Sequence, residues 1–528
     1  MSYVLNQHTV VAVIGAGSMG AGIAQLAAQS GHSVRLHDAQ AGAAAAGLAR
    51  IGTDLDGAVQ RGKLAAAERA AVLARITLAD SLAALEGCDL VVEAIVERLD
   101  VKQTLFRALE HVLGEHAVLA TNTSSISVTA VAQGLQHPQR LIGWHFFNPA
   151  TRMKLVEVIA GVETDPALLA PLHALSRAWG KTSVDAPNAP GFIVNRVARP
   201  YYAEGLRLLA ERIAPAPAID KLMTEAGGFA LGPFELMDLI GLDVNLAVTE
   251  SVFQATACDA RYAPHLLQQE LVRSGRLGRK SGRGFYAYGK DVAPRSVAVV
   301  APASSGTAPT SATLFCGPDN GLLQALVTRL ETAGVDVEPH LDLPPETLAL
   351  ATQDGLVLIG LTDGRSAAER GLSDPSADPS ADTSAGASAP LLLLDLARDY
   401  STTTHVGATG NPAGAAHLPA LAGLLACARI ALIGLDDVAG LVLMRTVCCL
   451  ANEAADLMTW TPTIARDIDT AMRLGTAYPV GPLAWADTLG AARVATVLAN
   501  LQAHYGDVRY RRAPALTRVQ CNGTRFHA

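Results

Sequence analysis

The chain has 528 residues, half of them hydrophobic, and a formal net charge of -8. This length is too great for one hydrophobic core and predicts three or four domains. An acidic chain without clustered Lys and Arg is not expected to bind nucleic acid or an anionic membrane surface, and no apolar run is long enough to cross a bilayer.

The seven cysteines are odd in number, form no C-x-x-C and show no zinc-ligand spacing. This pattern is typical of a reducing cytosol and predicts no metal site. The first ten residues lack the basic and apolar regions of a signal peptide. We therefore expect a soluble, cytoplasmic protein, for which an anionic small ligand remains possible.

The N-terminus carries a nucleotide-binding pattern. An apolar run, Val10 to Ile14, leads into Gly15-Ala16-Gly17-Ser18-Met19-Gly20 and a helical stretch to about Ser30. Gly15 permits a tight turn, Gly17 allows a pyrophosphate to approach the backbone, and Gly20 allows the helix to pack on the strand. A second strand, Ser33 to Leu36, is followed by Asp38, which can bind ribose hydroxyls and would repel the 2′-phosphate of NADP. The pattern predicts NAD; the alternative is a glycine turn beside a surface acid.

Residues from about Ala41 to Arg75 are predicted to form a helical hairpin with Lys63 near its tip. Lys63 either meets an acidic ligand or is an ordinary solvated lysine. Two further strands, Asp89 to Ala94 and Ala117 to Ala120, are each followed by polar residues. Because ligands bind at the carboxyl edge of open α/β sheets, these residues are site candidates, with turn and helix capping as the alternative. They are Glu97, Lys102, Asn122 and Ser124.

The stretch from Gly143 to Val158 puts His145 and Glu157 into one apolar framework, flanked by two β-like runs, Arg140 to Trp144 and Leu155 to Ile159. Imidazole changes charge near neutral pH, and a carboxylate on its second nitrogen fixes the tautomer and stabilises the imidazolium. The pair can therefore act as a general base. The alternative is a surface or core role, since His145 is one of 14 histidines.

A linker from Ala186 to Gly191 is followed by helical periodicity that closes around Gly278 to Tyr286, which predicts an all-α domain. This domain recurs later in the chain after a shift of 249 positions without a gap. The shift places Gly191, Arg196, Glu204, Asp220, Gly232, Pro233, Asp238 and Gly241 on Gly440, Arg445, Glu453, Asp469, Gly481, Pro482, Asp487 and Gly490. Asn195 falls on Met444, so a polar site is expected in the first copy only.

Between the two copies, Val297 to Gly306 mirrors Val11 to Gly20, but Ala301 and Ala303 stand where Gly15 and Gly17 would be. The added Cβ atoms would obstruct a phosphate, so this region is expected to be an α/β remnant without cofactor. Its strands are predicted at Leu314 to Cys316, Gly355 to Leu361, Pro390 to Leu394 and Ala428 to Gly434. A Ser/Asp/Pro-rich run within residues 363–390 predicts a disordered surface loop.

Together these motifs resemble the L-3-hydroxyacyl-CoA dehydrogenase family over residues 1 to about 290. The specific matches are the glycine loop, V-V-E-A-I-V-E (91–97), N-T-S-S (122–125), H-F-F-N-P (145–149), M-K-L-V-E (153–157) and P-G-F-I-V-N-R (190–196). The whole chain resembles the long bacterial form, the 3-hydroxybutyryl-CoA or 3-hydroxyadipyl-CoA dehydrogenases of fatty-acid or phenylacetate catabolism.

The resemblance implies an α/β Rossmann-like domain (1–186), an all-α domain (187–290), a degenerate α/β domain (296–436) and a second all-α copy (437–528). It implies that His145 is the base, that Glu157 orients it, and that Ser124 and Asn195 hold the 3-oxygen of an acyl-CoA substrate. NAD would be bound by the glycine loop with Ser18 and Met19, by Asp38, and by Glu97, Lys102 and Asn122, and Lys63 would face the CoA phosphates.

Three implications of the resemblance concern assembly and function. The helical copies are expected to pair within the chain as a pseudo-dimer, with a homo-oligomer also possible. Arg152 would select a terminal carboxylate or point to solvent. The alternative to an enzyme is a non-catalytic NAD-binding protein of the crystallin type.

Overall fold

The computed structural model describes residues 3–290, 292–302, 313–373 and 389–527. The chain divides into two compact units. One comprises Met1–Arg196 with Thr461–Thr476, and the other comprises Val197–Trp460 with Ala477–Ala528.

The first unit is built on an eight-stranded sheet of order β3-β2-β1-β4-β5-β6-β7-β8, parallel except where β7 runs antiparallel to β6. Its strands are β1 (Val11–Ile14), β2 (Val34–His37), β3 (Ile76–Leu78), β4 (Leu90–Glu93), β5 (Val118–Thr121), β6 (Leu141–Phe146), β7 (Leu155–Ile159) and β8 (Thr182–Ala186). Its helices are α1 (Ser18–Gln29), α2 (Ala43–Gln60), α3 (Ala66–Ala74), α4 (Leu99–Glu110), α5 (Val128–Val131), α6 (Leu169–Ala178) and, from the second helical copy, α17 (Ala465–Gly475). The first segment of this unit ends within α7 (Val194–Val197).

The central strands are apolar on both faces because helices cover both sides of a parallel sheet. β1 and β4 are buried along their whole length. Under β6, Trp144 lies 4.9 Å from Trp179 and 4.7 Å from Phe146, measured between ring centroids. This core fixes the strand that carries His145.

The second unit contains helices from both copies and a seven-stranded mixed sheet of order β10-β9-β11-β12-β13-β14-β15. Its helices are α8 (Arg199–Ala210), α9 (Ala216–Glu225), α10 (Pro233–Ile240), α11 (Leu242–Ala255), α12 (Leu266–Arg273), α13 (Gln324–Thr332), α14 (Ala367–Ser373), α15 (Leu418–Cys427), α16 (Leu443–Trp460), α18 (Pro482–Leu489), α19 (Ala491–Tyr505) and α20 (Pro514–Asn522). Its strands are β9 (Thr313–Cys316), β10 (Asp336–Pro339), β11 (Thr347–Thr352), β12 (Gly355–Leu361), β13 (Leu391–Leu394), β14 (His405–Gly410) and β15 (Ala431–Gly434).

The two helical copies place equivalent helices on different sheets. Helix α9 of the first copy packs on β14, and helix α17, which follows it by 249 positions, packs on β7 and β8. At Gly475 in α17, an added Cβ would lie 2.8 Å from Leu155 and 3.0 Å from Val194, so the small residue permits close packing there. A helix of the second copy therefore covers the first sheet, and a helix of the first copy covers the second sheet.

The predicted fold class is confirmed: an α/β domain, helices, a second sheet domain and helices again. Two details of the prediction are wrong. Val297 to Val300 does not take the place of β1; Val300 instead donates its amide hydrogen to Leu432 of β15 at the sheet edge, at 2.8 Å. The counterpart of β1 is β9, because β9, α13 and β10 form the parallel β-α-β unit that β1, α1 and β2 form in the first sheet. Residues 303–306 of this predicted repeat lie outside the described residues.

The second correction concerns the predicted disordered loop 363–390. Its first part contains α14, because Asp437 accepts amide hydrogens from Ala367 and Ala368 at 2.6 and 2.9 Å, and Glu369 accepts from the amide of Ser366 at 2.9 Å. These carboxylates cap the helix N-terminus. Residues 374–388, which include the low-complexity run, lie outside the described residues.

Candidate active site

The glycine loop has the geometry of a dinucleotide cradle. Gly15 has φ of +96°, and a Cβ there would lie 2.5 Å from the carbonyl oxygen of Ala94. A Cβ on Gly20 would lie 1.7 Å from the carbonyl oxygen of Gly15, whereas one on Gly17 would meet nothing within 4 Å. Gly15 and Gly20 therefore serve close packing, and Gly17 faces open space at the start of α1, where the amides of Ser18 and Met19 lie in the first turn. Such a helix N-terminus suits a pyrophosphate.

Asp38 follows β2 and is tied to this loop. Its Oδ2 accepts an amide hydrogen from Ala16 at 2.7 Å, and its Oδ1 accepts one from Gln40 at 2.9 Å. An acid held beside the glycine loop fits a ribose with free hydroxyls and disfavours a 2′-phosphate. These residues fit NAD.

His145 and Glu157 lie directly opposite each other on antiparallel strands β6 and β7. His145 Nδ1 is 2.7 Å from Glu157 Oε2, and the two side chains are only 7% and 1% exposed. Since an ionised carboxylate can only accept, Nδ1 carries the proton and Nε2 is left free as a base. The other carboxylate oxygen accepts amide hydrogens from Ile193 and Val194, both at 3.0 Å. The backbone at the start of α7 therefore fixes Glu157, which in turn fixes the imidazole.

Ser124, Asn195 and Asn122 surround the same edge of the sheet. Asn195 Nδ2 donates to the carbonyl oxygen of Ser124 at 3.3 Å, which links the two predicted substrate contacts. Asn122 Oδ1 accepts the amide hydrogen of Phe146 at 2.7 Å and so fixes the residue after His145. The structure thus shows Asn122 supporting the strand end, a role additional to the predicted cofactor contact.

Glu97 joins this cluster through its carboxylate. Its Oε1 accepts from the hydroxyl of Thr123 at 2.6 Å, the amide of Ser124 at 2.9 Å and the hydroxyl of Ser124 at 3.3 Å. Burial disfavours ionisation of Glu97, but the Lys102 ammonium and these hydrogen bonds outweigh burial, and the pKa of Glu97 is lowered. Glu97 is therefore ionised and orders the segment that carries Ser124.

Two predicted residues are not brought into contact with this cluster. Lys63 is exposed in the turn between α2 and α3, and Arg152 is exposed in the loop after β6. Among the described residues there is no group of three or more His, Cys, Asp or Glu side chains arranged for a metal ion. None of the helices in the described part of the chain combines the length and apolar character needed to cross a membrane.

The last three strands of the second sheet are arranged like the last three strands of the first sheet, but they carry different residues. The pairing of β13, β14 and β15 repeats that of β6, β7 and β8, antiparallel and then parallel. Asp395, directly after β13, lies beside Gly407 of β14, and the amide of Asp395 donates to the carbonyl oxygen of Gly407 at 2.9 Å. A Cβ on Gly407 would lie 2.7 Å from Leu435, so that space is filled by an apolar side chain.

Asp395 also takes over the capping role of Glu157. Its carboxylate accepts amide hydrogens from Val442, Leu443 and Met444 at the start of α16, at 3.1, 2.7 and 3.0 Å. Burial raises the pKa of Asp395 to about 6. In each sheet, a carboxylate thus accepts hydrogen bonds from the start of a helix. Glu157 of the first sheet also contacts a histidine, His145.

Comparison with known proteins agrees with this geometry. The family model "3-hydroxyacyl-CoA dehydrogenase, NAD binding domain" matches residues 10–189, and "3-hydroxyacyl-CoA dehydrogenase, C-terminal domain" matches residues 191–288 and 440–524. The chain belongs to the 3-hydroxyacyl-CoA dehydrogenase family. The two C-terminal matches begin at positions 191 and 440, which confirms the repeat predicted from the 249-residue shift.

Relatives of this dehydrogenase family cover either the whole chain or its first half. The 3-hydroxyadipyl-CoA dehydrogenase of Escherichia coli is 39% identical over 507 residues, which are 96% of each chain. The 3-hydroxybutyryl-CoA dehydrogenase of Clostridioides difficile is 39% identical over 280 residues, 53% of this chain and 99% of the relative. A crystal structure of 3-hydroxybutyryl-CoA dehydrogenase from Escherichia coli superposes with a TM-score of 0.84 at 39% identity, covering 98% of this chain and 99% of that one.

Family membership makes this chain an NAD-dependent oxidoreductase, as predicted, and NAD is its cofactor. These relatives support the prediction of an enzyme and give no support to the crystallin-type alternative. Sequence reasoning missed Glu93, Thr121 and Thr123, which lie beneath Glu97. Each lies at or just beyond the carboxyl end of a strand, and Glu93 and Thr123 also lie within the family motifs 91–97 and 122–125.

Proposed function

We propose that this enzyme interconverts (S)-3-hydroxyacyl-CoA and 3-oxoacyl-CoA, with His145 as the general base. The observation that carries the proposal is the buried 2.7 Å contact between His145 Nδ1 and Glu157 Oε2, which leaves Nε2 able to accept a proton. The position of this pair at the carboxyl edge of the sheet that carries the glycine loop supports the same reaction.

In the oxidation direction, His145 Nε2 takes the proton of the 3-hydroxyl group while hydride leaves C3. NAD, when bound, supplies the hydride acceptor. Glu157 stabilises the imidazolium as it forms, because a carboxylate at 2.7 Å favours the charged ring. Ser124 and Asn195 hydrogen-bond the 3-oxygen and hold it near Nε2, and in reduction His145 returns the proton to that oxygen.

Two acyl groups are candidates for the substrate. Relatives are named for 3-hydroxybutyryl-CoA and for 3-hydroxyadipyl-CoA, which differ by a longer chain with a terminal carboxylate. Arg152 is exposed and lies seven residues after His145, so we propose that it favours the dicarboxylic substrate. Lys63, at the exposed hairpin tip, is proposed to meet the CoA phosphates.

The test is the loss of NADH absorbance with purified protein and either acetoacetyl-CoA or 3-oxoadipyl-CoA. Turnover of at least one is expected, and no turnover of either by protein that binds NADH would refute the proposed function. Arg152→Gln should lower kcat/KM for 3-oxoadipyl-CoA by about tenfold, the effect of one lost charge-assisted contact, and leave acetoacetyl-CoA unchanged. An equal effect on both substrates would refute the carboxylate role of Arg152.

We further propose one active site per chain, with no cofactor in the second α/β domain. At the loop after β9, Glu346 Oε1 accepts the amide hydrogen of Leu322 at 3.0 Å and pairs with Arg493, while a Cβ on Gly321 would lie 1.9 Å from the same oxygen. The carboxylate of Glu346 thus lies where this helix start would receive an anion. Met444 in place of Asn195 supports the same conclusion.

The helical copies are proposed to form an intrachain pseudo-dimer. Within the second unit, Arg445 Nε donates to Glu204 Oε2 at 2.7 Å, and Tyr510 donates to the same oxygen at 3.1 Å. The reciprocal hydroxyl of Tyr262 donates to Glu453, so equivalent tyrosines of the two copies reach across to equivalent acids. Reciprocal contacts of this kind are typical of an isologous interface.

Removing residues after about 295 would uncover the surfaces that α17 and α16 now cover. The truncated protein should therefore aggregate or form intermolecular dimers in light-scattering measurements. A soluble, active monomer would contradict the pseudo-dimer. We propose the four domain boundaries given by the sequence, 1–186, 187–290, 296–436 and 437–528, and a cytoplasmic location, which the seven free cysteines support.

A further inference from the structure

Glu93, at the end of β4, is completely buried and lies below the proposed active site. Its Oε1 accepts from Lys102 Nζ at 2.6 Å and from the amide of Ile95 at 2.8 Å, and its Oε2 accepts from the hydroxyl of Thr121 at 2.7 Å. We propose that Glu93 is a positioning residue for the dehydrogenase reaction, acting through Lys102 and Glu97 on the hydroxyl of Ser124. This inference rests on the proposed function.

Lys102 is the first link. Its ammonium group lies between two carboxylates, 2.6 Å from Glu93 Oε1 and 3.2 Å from Glu97 Oε2, and its side chain is 1% exposed. A cation buried so deeply cannot turn to water, so without the Glu93 charge the ammonium group would be drawn to its other carboxylate partner, Glu97. Glu93 therefore determines where the ammonium group lies, and the ammonium group determines where the Glu97 carboxylate lies.

Glu97 is the second link, since it is partly exposed at the site and its Oε2 pairs with the buried Lys102 at 3.2 Å. Its other oxygen receives five hydrogen bonds from residues 123–125, including the amide of Ser124 at 2.9 Å and the hydroxyl of Ser125 at 3.1 Å. A small displacement of the carboxylate would therefore move this whole segment. Reaction rates fall steeply when a positioning group is misplaced by about 1 Å.

The hydroxyl of Ser124 is the atom affected. It lies 3.3 Å from Glu97 Oε1, which is long for a hydrogen bond between a hydroxyl and a carboxylate. Such a contact can be given up when the 3-oxygen of the substrate arrives. If Lys102 moved towards Glu97 after loss of the Glu93 charge, the hydroxyl would be held differently and would no longer meet the substrate oxygen correctly.

The test is Glu93→Gln in the full-length protein, assayed with acetoacetyl-CoA and NADH. The glutamine keeps the shape of the side chain but removes its charge. At saturating NADH we expect kcat to fall at least tenfold, while the KM for acetoacetyl-CoA stays within about twofold of the wild type. Wild-type protein without turnover would refute the proposed function itself, independently of Glu93.

The matched control is Glu110→Gln at the C-terminal end of α4, about 12 Å along the helix from Lys102. The side chain of Glu110 is 5% exposed, pairs with Arg140 at 3.6 Å and accepts the amide hydrogens of Gln136 and His137 at 2.8 and 2.9 Å. Both variants should lower the melting temperature, but only Glu93→Gln should lower kcat. Equal kcat values for the two variants would overturn the inference.

If Glu93→Gln does not fold, Thr121→Val is the second test variant. It removes one hydrogen bond to Glu93 and keeps the negative charge of the Glu93 carboxylate. A fall in kcat of threefold or more at unchanged KM supports the positioning role. An unchanged kcat in folded Thr121→Val protein overturns it.

Discussion

Replacement of Glu157 by Gln should move one proton between the two ring nitrogens of His145. In the wild type, Oε1 of Glu157 accepts the amide hydrogens of Ile193 and Val194 at 3.0 Å each, and Oε2 faces His145 Nδ1 at 2.7 Å. An amide nitrogen cannot accept a hydrogen bond, so the two backbone amides hold the glutamine oxygen and turn its NH2 group towards Nδ1. Nδ1 must then be unprotonated, and the proton moves to Nε2, the atom that should accept the substrate proton.

Loss of a correctly protonated base costs about 10²- to 10⁴-fold in rate. At 1.36 kcal/mol per tenfold change, this corresponds to about 3–5 kcal/mol in the barrier of the chemical step. The affinity for NADH should be unchanged, because the glycine loop and Asp38 make no hydrogen bond to Glu157 among those described.

The assay is NADH-dependent reduction of acetoacetyl-CoA, with NADH affinity measured separately by fluorescence. Asp185→Asn is a matched control, because His173 Nε2 and Asp185 Oδ1 form a histidine–carboxylate pair of 2.8 Å in the same unit, outside the proposed site. The control should keep wild-type turnover. A Glu157→Gln enzyme within threefold of wild-type kcat would refute the assignment of His145 and Glu157 as the catalytic pair.

Three further results are expected. Gly17→Val should fold normally, because a Cβ at Gly17 meets nothing within 4 Å, but should weaken NADH binding at least tenfold in a fluorescence titration; unchanged affinity would contradict the phosphate site. Gly475→Leu should overpack the apolar side chains beside Glu157 at a cost of about 1–3 kcal/mol, lowering both the melting temperature and kcat; a fall in melting temperature without a fall in kcat would separate α17 from the site. Burial raises the pKa of Asp395 to about 6, so this group stabilises the folded state below pH 4 and loses that effect as the pH rises to about 6. The melting temperature of the wild type minus that of Asp395→Asn should therefore fall across this range, and a constant difference would refute the raised pKa.

The strands of the first sheet were predictable where apolar, β-branched residues run together. Leu155 to Ile159 is predicted with the observed bounds, and Val10 to Ile14 differs by one residue from β1. Short strands with polar or glycine residues were missed, among them β8 (T-S-V-D-A) and β14 (H-V-G-A-T-G). Their own propensity is weak, and they are strands because a neighbouring strand supplies their hydrogen bonds.

The prediction that residues 297–306 repeat Val11 to Gly20 was wrong for a related reason. V-A-V-V is as apolar as V-A-V-I, and composition does not distinguish a central strand from a segment at the sheet edge. The structure places Val300 beside β15 and gives the place of β1 to β9, which leads into Gly317-Pro318-Asp319 and has no glycine pattern to identify it. Position in a sheet depends on partners that are distant in sequence.

The candidate site also contains some residues that were predictable from the sequence and others that were not. His145 and Glu157 were predictable as a pair because they stand in one apolar stretch, and the register of β6 and β7 places them opposite each other. Glu93 and Asp395 were not predictable, since an acid at the end of an apolar run normally suggests exposure. Each is buried because it accepts several hydrogen bonds from groups that only the folded chain brings together.

The most direct test of a single active site in this two-sheet chain is the stoichiometry of NADH binding by calorimetry on the full-length protein. One NADH per chain is expected, because the first glycine loop is open at Gly17 and the corresponding helix start in the second sheet is occupied by Glu346. Two NADH molecules per chain would show that the second α/β domain binds cofactor and would contradict a single site. No binding would contradict the assignment of the first glycine loop.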